Sequence, residues 1–166
     1  MQFFRKETIR QIARNKRKIE SKLKVKIIVS GNSVAFEGNE EDKYVTERVL
    51  EALERNFPLN VAFLLSTSDY TFEEIPIKNF TRKKNLSIVR GRIIGTKGKA
   101  LEVVQELSDS FIILQQNTIN IIAPHEKIRE VVVALRALVQ GTKHSNVYKY
   151  LERSRKRFRP ESLGLK

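Results

Sequence analysis

Ile94-Gly95-Thr96-Lys97-Gly98 is the stretch on which the reading of this chain turns. Two glycines stand three apart, with Ile93 before the stretch and Lys99 after it. A strand-like run, Leu86 to Arg90, precedes them, and an amphipathic run with Leu101, Val104 and Leu107 follows. Gly95 and Gly98 have no Cβ, so the backbone there can approach a bulky anionic partner and adopt φ angles closed to other residues. A helix that starts directly afterwards presents its free N–H groups and positive dipole end to that partner. The expected ligand is a sugar-phosphate backbone, with RNA binding the leading expectation.

Working outward, Leu86 and Ile88 alternate with polar residues, as in a short half-buried strand. Arg92 to Ile94 is expected to form a helical turn, and Lys99 to Leu107 the next helix. Phe111 to Leu114 reads as a strand, Gln115-Gln116-Asn117 as a tight turn with Asn117 left-handed, and Thr118 to Ala123 as the paired strand. A long helix follows, with Pro124 near its start and Gly141 past its end. Ile128, Val131, Val132, Leu135, Leu138 and Val139 form its apolar stripe. The predicted order is β-α-α-β-β-α, an α+β unit.

The first half repeats the end of that order. A basic helix from about Lys6 to Lys22 precedes a strand at Val25 to Val29, a Ser30-Gly31-Asn32-Ser33 turn and a strand at Val34 to Glu37. Asn39 is a suitable N-cap for an acidic-started helix through Val45, Val49, Ala52 and Leu53. A slide of 84 lays Leu23 on Leu107 and Ile27 on Phe111, so the chain reads as an internal duplication. No glycine occurs before Gly31, so the first copy lacks a phosphate-approach loop, and Gln2-Phe3-Phe4 is its only candidate lead strand. Arg55 to Leu65 and Thr71 to Ile77 are read as the connection, the latter as a linking strand. The expected domains are 1–80 and 81–166.

The net charge of +13 implies a polyanionic partner. Basic residues gather in three zones: Arg5 to Lys26, Arg82 to Lys99, and Lys149 to Arg159. Glu37 to Glu54 is acidic. Each zone alone fits a solvated helix face; the overlap of the middle one with the glycine loop favours binding. Zero cysteines exclude disulfides and thiolate metal sites. No apolar stretch nears the roughly 20 residues of a membrane span, and no signal peptide is read at the start. A cytoplasmic location is expected, and the Lys- and Glu-rich, Met- and Cys-poor composition leans towards a thermophile.

Catalysis finds no support. The loop is not a nucleotide-triphosphate loop, since Gly95 follows Gly91 by only four, and Ile93 stands where a dinucleotide fingerprint needs its second glycine. Glu40-Glu41-Asp42 complements a helix dipole, and Glu73-Glu74 reads as an exposed strand edge. His125 and His144 are read as ordinary exposed residues without a metal site; no cofactor is expected. A bare Gly-x-x-Gly also suits a tight helix–helix turn, and only the surrounding order and charge favour phosphate holding. Ile94 and Leu101 would then form an apolar floor for bases. At the C-terminal end, Val147, Tyr148 and Leu151 are expected to dock on the core. Arg153 to Arg159 are then left free for phosphates or simply solvated.

Gly91-Arg92-Ile93-Ile94-Gly95-Thr96-Lys97-Gly98, with Leu101, Val104, Leu107-Ser108 and Ile112, resembles the signature of a type I KH domain. Together with Gly141-Thr142-Lys143-His144-Ser145-Asn146-Val147-Tyr148-Lys149-Tyr150-Leu151-Glu152-Arg153 and the degenerate first copy, it is similar to the two-KH ribosome-assembly factors of archaea and eukaryotes, the partner-of-Nob or Dim-type family. The resemblance implies tandem type I KH domains, the first degenerate, each a three-stranded antiparallel sheet covered by helices on one face. It implies binding of single-stranded RNA near the 3′ end of small-subunit ribosomal RNA, cooperation with the Nob-type endonuclease, and contact with the alpha subunit of initiation factor two. The expected RNA-contacting set is Arg90, Gly91, Arg92, Ile93, Ile94, Gly95, Thr96, Lys97, Gly98, Lys99 and Leu101, with Arg153, Arg155, Lys156 and Arg157 as accessory phosphate contacts. Two other readings are a transcription-elongation KH pair of the Nus type, which would lack a lead strand before the loop, and a protein adaptor that does not bind RNA.

Overall fold

The computed structural model describes residues 1–157 of the 166; Arg159, counted in the third basic zone, lies outside them. The chain divides into two compact units, Met1–Ser68 and Asp69–Lys166. The expected boundary at 80/81 falls inside the second unit, because the run read as a linking strand is the lead strand of its sheet.

In the second unit, β4 (Tyr70–Pro76), β5 (Phe111–Gln115) and β6 (Thr118–Pro124) form an antiparallel sheet in the order β4-β6-β5. Helices α5 (Leu86–Ile94), α6 (Lys99–Ser108), α7 (Ile128–Val139) and α8 (His144–Arg157) complete it. The expected strand at Leu86–Arg90 is thus the body of a helix. Asn85 caps that helix, its side chain accepting a hydrogen bond from the Ser87 amide at 3.2 Å. Val89 and Ile93, four apart, are its buried residues. The five-residue alternation was too short to tell period 2 from period 3.6, and β4 had already supplied the third strand.

The core lies on one face of this sheet. Ile119, Ile121 and Ala123 of central β6, with Ile75 and Ile112 of its neighbours, meet Val89, Ile93, Val104, Val131, Leu135, Leu138, Val147 and Leu151. In the β5–β6 turn the left-handed residue is Gln116, at φ 52, and Asn117 instead lends its side chain to Arg90. Helix α7 ends in a Schellman arrangement, with Gly141 N–H donating to Leu138 O at 3.2 Å and Thr142 N–H to Ala137 O at 2.9 Å.

In the first unit, β1 (Gln2–Phe3), β2 (Lys26–Ser30) and β3 (Ser33–Glu37) pair antiparallel in the equivalent order β1-β3-β2. Helices α1 (Lys6–Arg14), α2 (Lys16–Leu23), α3 (Glu40–Glu54) and α4 (Leu59–Ala62) accompany them. Asn39 caps α3 as expected, accepting from the Asp42 amide at 2.7 Å.

The two units share one strand order, and their elements align at a shift of 85 rather than 84. Buried Ile19, Ile27 and Val34 correspond to buried Val104, Ile112 and Ile119. A shift of 84 lays buried Ile27 on Phe111, which is 39% exposed; a one-residue slip turns every strand side chain to the wrong face. One hydrogen bond also recurs at this spacing. Glu20 Oε1 accepts from the Ile27 amide at 2.8 Å, and Gln105 Oε1 from the Ile112 amide at 2.8 Å. Ahead of the loop the shift is 81, laying buried Thr8 and Ile12 on buried Val89 and Ile93. The difference of four is the length of Gly95–Gly98. In the first unit only Asn15 separates α1 from α2, its Nδ2 donating to Gln11 O at 2.8 Å.

Candidate nucleic-acid interface

The helix–loop–helix of α5, Gly95–Gly98 and α6 is a sharp bend built from unusual backbone angles. Gly95 (φ 76), Lys97 (φ 53) and Gly98 (φ 75) all have positive φ. Holding Lys97 left-handed costs about 1–2 kcal/mol, which the surrounding bend must offset. Gly95 N–H closes α5 onto Gly91 O at 2.8 Å, and Gly98 N–H donates to Gly95 O at 3.2 Å. Helix α6 starts immediately behind the loop at Lys99, which puts a positive dipole end there.

The glycines have separate jobs. A Cβ on Gly95 would lie 2.5 Å from Ala100 Cβ and 2.8 Å from Ala100 N, so this glycine lets the loop close on α6. A Cβ on Gly98 or Gly91 would meet nothing within 4 Å. Of Gly91, Gly95 and Gly98, the first and last leave bare backbone towards solvent, the property first ascribed to both loop glycines. Thr96, Lys97 and Lys99 are exposed, and no ion pair engages either lysine among the described residues.

The exposed apolar surface beside the loop is wider than the sequence suggested. Ile94 is 36% exposed and Leu101 half-buried, as a base-stacking surface requires. Ile88, read as half-buried in a strand, is 60% exposed on α5. Ile88, Gly91 and Ile94 follow one another at spacings of three and so share one helix face. That stripe became legible only with Leu86–Ile94 as a helix.

Three members of the expected set serve the protein itself. Ile93 is fully buried in the core. The Arg90 Nη1 donates to Asn117 Oδ1 at 2.6 Å. The Arg92 Nε donates to Leu138 O at 3.1 Å and its Nη2 to Thr142 O, so this guanidinium is engaged with backbone carbonyls. His144, read as an ordinary exposed residue, is half-buried, and its Nε2 bonds Arg92 O at 2.8 Å. In α8, Val147 and Leu151 are buried as expected. Arg153, Lys156 and Arg157 are exposed and Arg155 is half-buried; Arg157 also donates to Ser154 Oγ at 3.0 Å. Among the described residues no group of three or more His, Cys, Asp or Glu could hold a metal ion, and no helix is long and apolar enough to cross a membrane.

A lead strand antiparallel to the last strand, with a glycine bend between the two helices that precede the second strand, is the arrangement of a type I KH fold. The chain matches the family profile of the eukaryotic-type (type I) KH domain, second domain of the PNO1 group, over residues 71–156. It belongs to this KH-domain family of PNO1 and Dim type. A KH domain-containing protein of Methanocaldococcus jannaschii is 27% identical over 151 residues, covering 87% of this chain and 66% of that relative. Dim2p from Pyrococcus horikoshii superposes with a TM-score of 0.79 at 27% identity, over 92% of this chain and 96% of its own. A chain of the a/eIF2alpha–aDim2p–rRNA complex from the same organism gives 0.81 at 26%, over 95% and 93%. A protein of unknown function from Aeropyrum pernix gives 0.84 at 26%, over 98% and 94%. The Nus-type reading falls with this match; a lead strand does precede the loop, but it is β4, not Leu86–Arg90.

Proposed function

We propose that the chain is a non-enzymatic RNA-binding factor of small ribosomal subunit assembly. Its second unit takes single-stranded RNA along α5, the loop and α6. Phosphates approach the open backbone at Gly91 and Gly98 and the free ammonium groups of Lys97 and Lys99, and bases rest on Ile88, Ile94 and Leu101. The backbone contacts supply a salt-sensitive affinity and the apolar stripe a modest base preference. The observation that carries this reading is the pairing of open, Cβ-free backbone at Gly91 and Gly98 with unpaired lysines on an exposed bend.

The similarity to a Dim2p bound to rRNA and a/eIF2alpha supports ribosomal RNA as the ligand and the alpha subunit of initiation factor two as a partner. Within this proposal the RNA is the 3′ region of small-subunit rRNA, the Nob-type endonuclease acts alongside, and the site of action is the cytoplasm. The first unit, closed at Asn15, serves as a structural or adaptor module. The test is Thr96→Asp with Lys97→Asp, read by fluorescence anisotropy on single-stranded RNA. Both side chains are exposed, so binding should vanish while the melting temperature stays near that of the parent. Parental affinity in the double variant would refute the role of the loop.

A further inference from the structure

Gly141-Thr142-Lys143-His144 carries family resemblance, yet RNA contact gives its side chains no role. Its neighbours do. Helix α5 ends at Ile94 and α7 at Val139, and each end leaves carbonyl oxygens without intrahelical donors. Each end is met by a side chain from a neighbouring helix. From α5, Arg92 donates to Leu138 O in the last turn of α7 and to Thr142 O just beyond it. From the start of α8, His144 Nε2 meets Arg92 O at 2.8 Å. A carbonyl only accepts, so Nε2 is the donor. The Tyr148 ring, one turn along α8, lies 6.2 Å from the imidazole between centroids and limits its movement.

We propose that Arg92 and His144 form a reciprocal clasp that holds the end of α5, and thereby the Gly95–Gly98 loop, in the shape RNA requires, with His144 as a positioning residue. This rests on the RNA-binding reading given above. Only Ile93 and Ile94 separate Arg92 from the loop, and three of the four loop residues have positive φ. Lys97 is the strained residue of that bend, and it relaxes unless the helix end leading into the bend is fixed. Fraying of α5 would relieve Lys97 and blur the alignment of Gly91, Ile94 and Gly98. RNA binding would then have to restore that order at the expense of affinity. Because the clasp joins α8 to α5, it also ties the basic end of α8 to the loop through covalent structure and the hydrogen bond from His144 to Arg92 O.

The test uses the full chain, a short mixed-sequence single-stranded RNA, and amide hydrogen exchange measured without RNA. His144→Ala should weaken RNA binding by roughly 3- to 10-fold, the worth of one hydrogen bond. It should speed exchange over residues 93–99 while β6 exchange stays at the parental rate. His144→Gln, whose amide nitrogen can replace Nε2, should restore both values. His144→Leu, which keeps bulk against Tyr148 but has no donor, should behave as the alanine variant. Parental loop exchange in the alanine and leucine variants, or failure of glutamine to rescue, overturns the clasp. Failure of the parent chain to bind the RNA refutes the RNA reading, and the two failures appear in separate measurements.

Discussion

Gly91, Gly95 and Gly98 separate stability from binding because each meets a different environment. Gly95→Ala forces a Cβ to 2.5 Å from Ala100 Cβ at a φ of 76, so overlap adds to conformational strain. We expect a loss well above 1 kcal/mol, seen as the largest fall in melting temperature of the three. Gly98→Ala meets only the strain of positive φ, about 1–2 kcal/mol, but puts a methyl group on open backbone and should weaken RNA binding further than its stability loss explains. Gly91→Ala has helical φ and open space, so it should stabilise the fold by about 0.5–1 kcal/mol. The same methyl lies between Ile88 and Ile94 on the proposed floor, so RNA affinity should drop as melting temperature rises. An alanine at 91 that left affinity unchanged would place the RNA elsewhere. The loop itself was legible from its glycines, lysines and flanking isoleucines, together with the order of elements and the charge around it. The division of labour among the glycines depends on Ala100, a neighbour in space that spacing could not reveal.

At the level of elements, the Asn39 cap and the Gly141 helix stop were readable signals, whereas the left-handed residue of the β5–β6 turn, Gln116, was not. Asn39 is an example: Asn39→Ala removes the acceptor for the Asp42 amide and should cost about 1 kcal/mol in chemical denaturation, with RNA affinity untouched. Short apolar runs were the least readable. Leu86–Arg90 offered two alternations, and only Val89 and Ile93 at helical spacing, together with the Asn85 cap, settle it as helix. The error mattered because it hid Ile88 from the site and left β4 looking like a linker. Arg90 and Arg92 show a second limit. Their charge suggested phosphate contact, whereas Asn117 and the carbonyls of Leu138 and Thr142 engage them first.

For the whole molecule, the net charge of +13 makes association with nucleic acid steeply salt-dependent. Each phosphate neutralised on a single strand contributes about 0.7 to the slope of log affinity against log salt, and a four-nucleotide grip gives a slope of roughly 3. Lys97→Gln should lower the measured slope by about 0.7; an unchanged slope would show that Lys97 meets no phosphate. The duplicated architecture was visible in outline from hydrophobic pattern. Its register was not, because a slide by one preserves the count of apolar matches and only burial shows which face each one occupies.

The repeat shift passes from 81 to 85 at a single place. The two halves differ at their helix–helix corner by four residues, while the buried positions on either side keep their partners. A module of this design can therefore lose or regain its grip on a polymer without its interior being rebuilt.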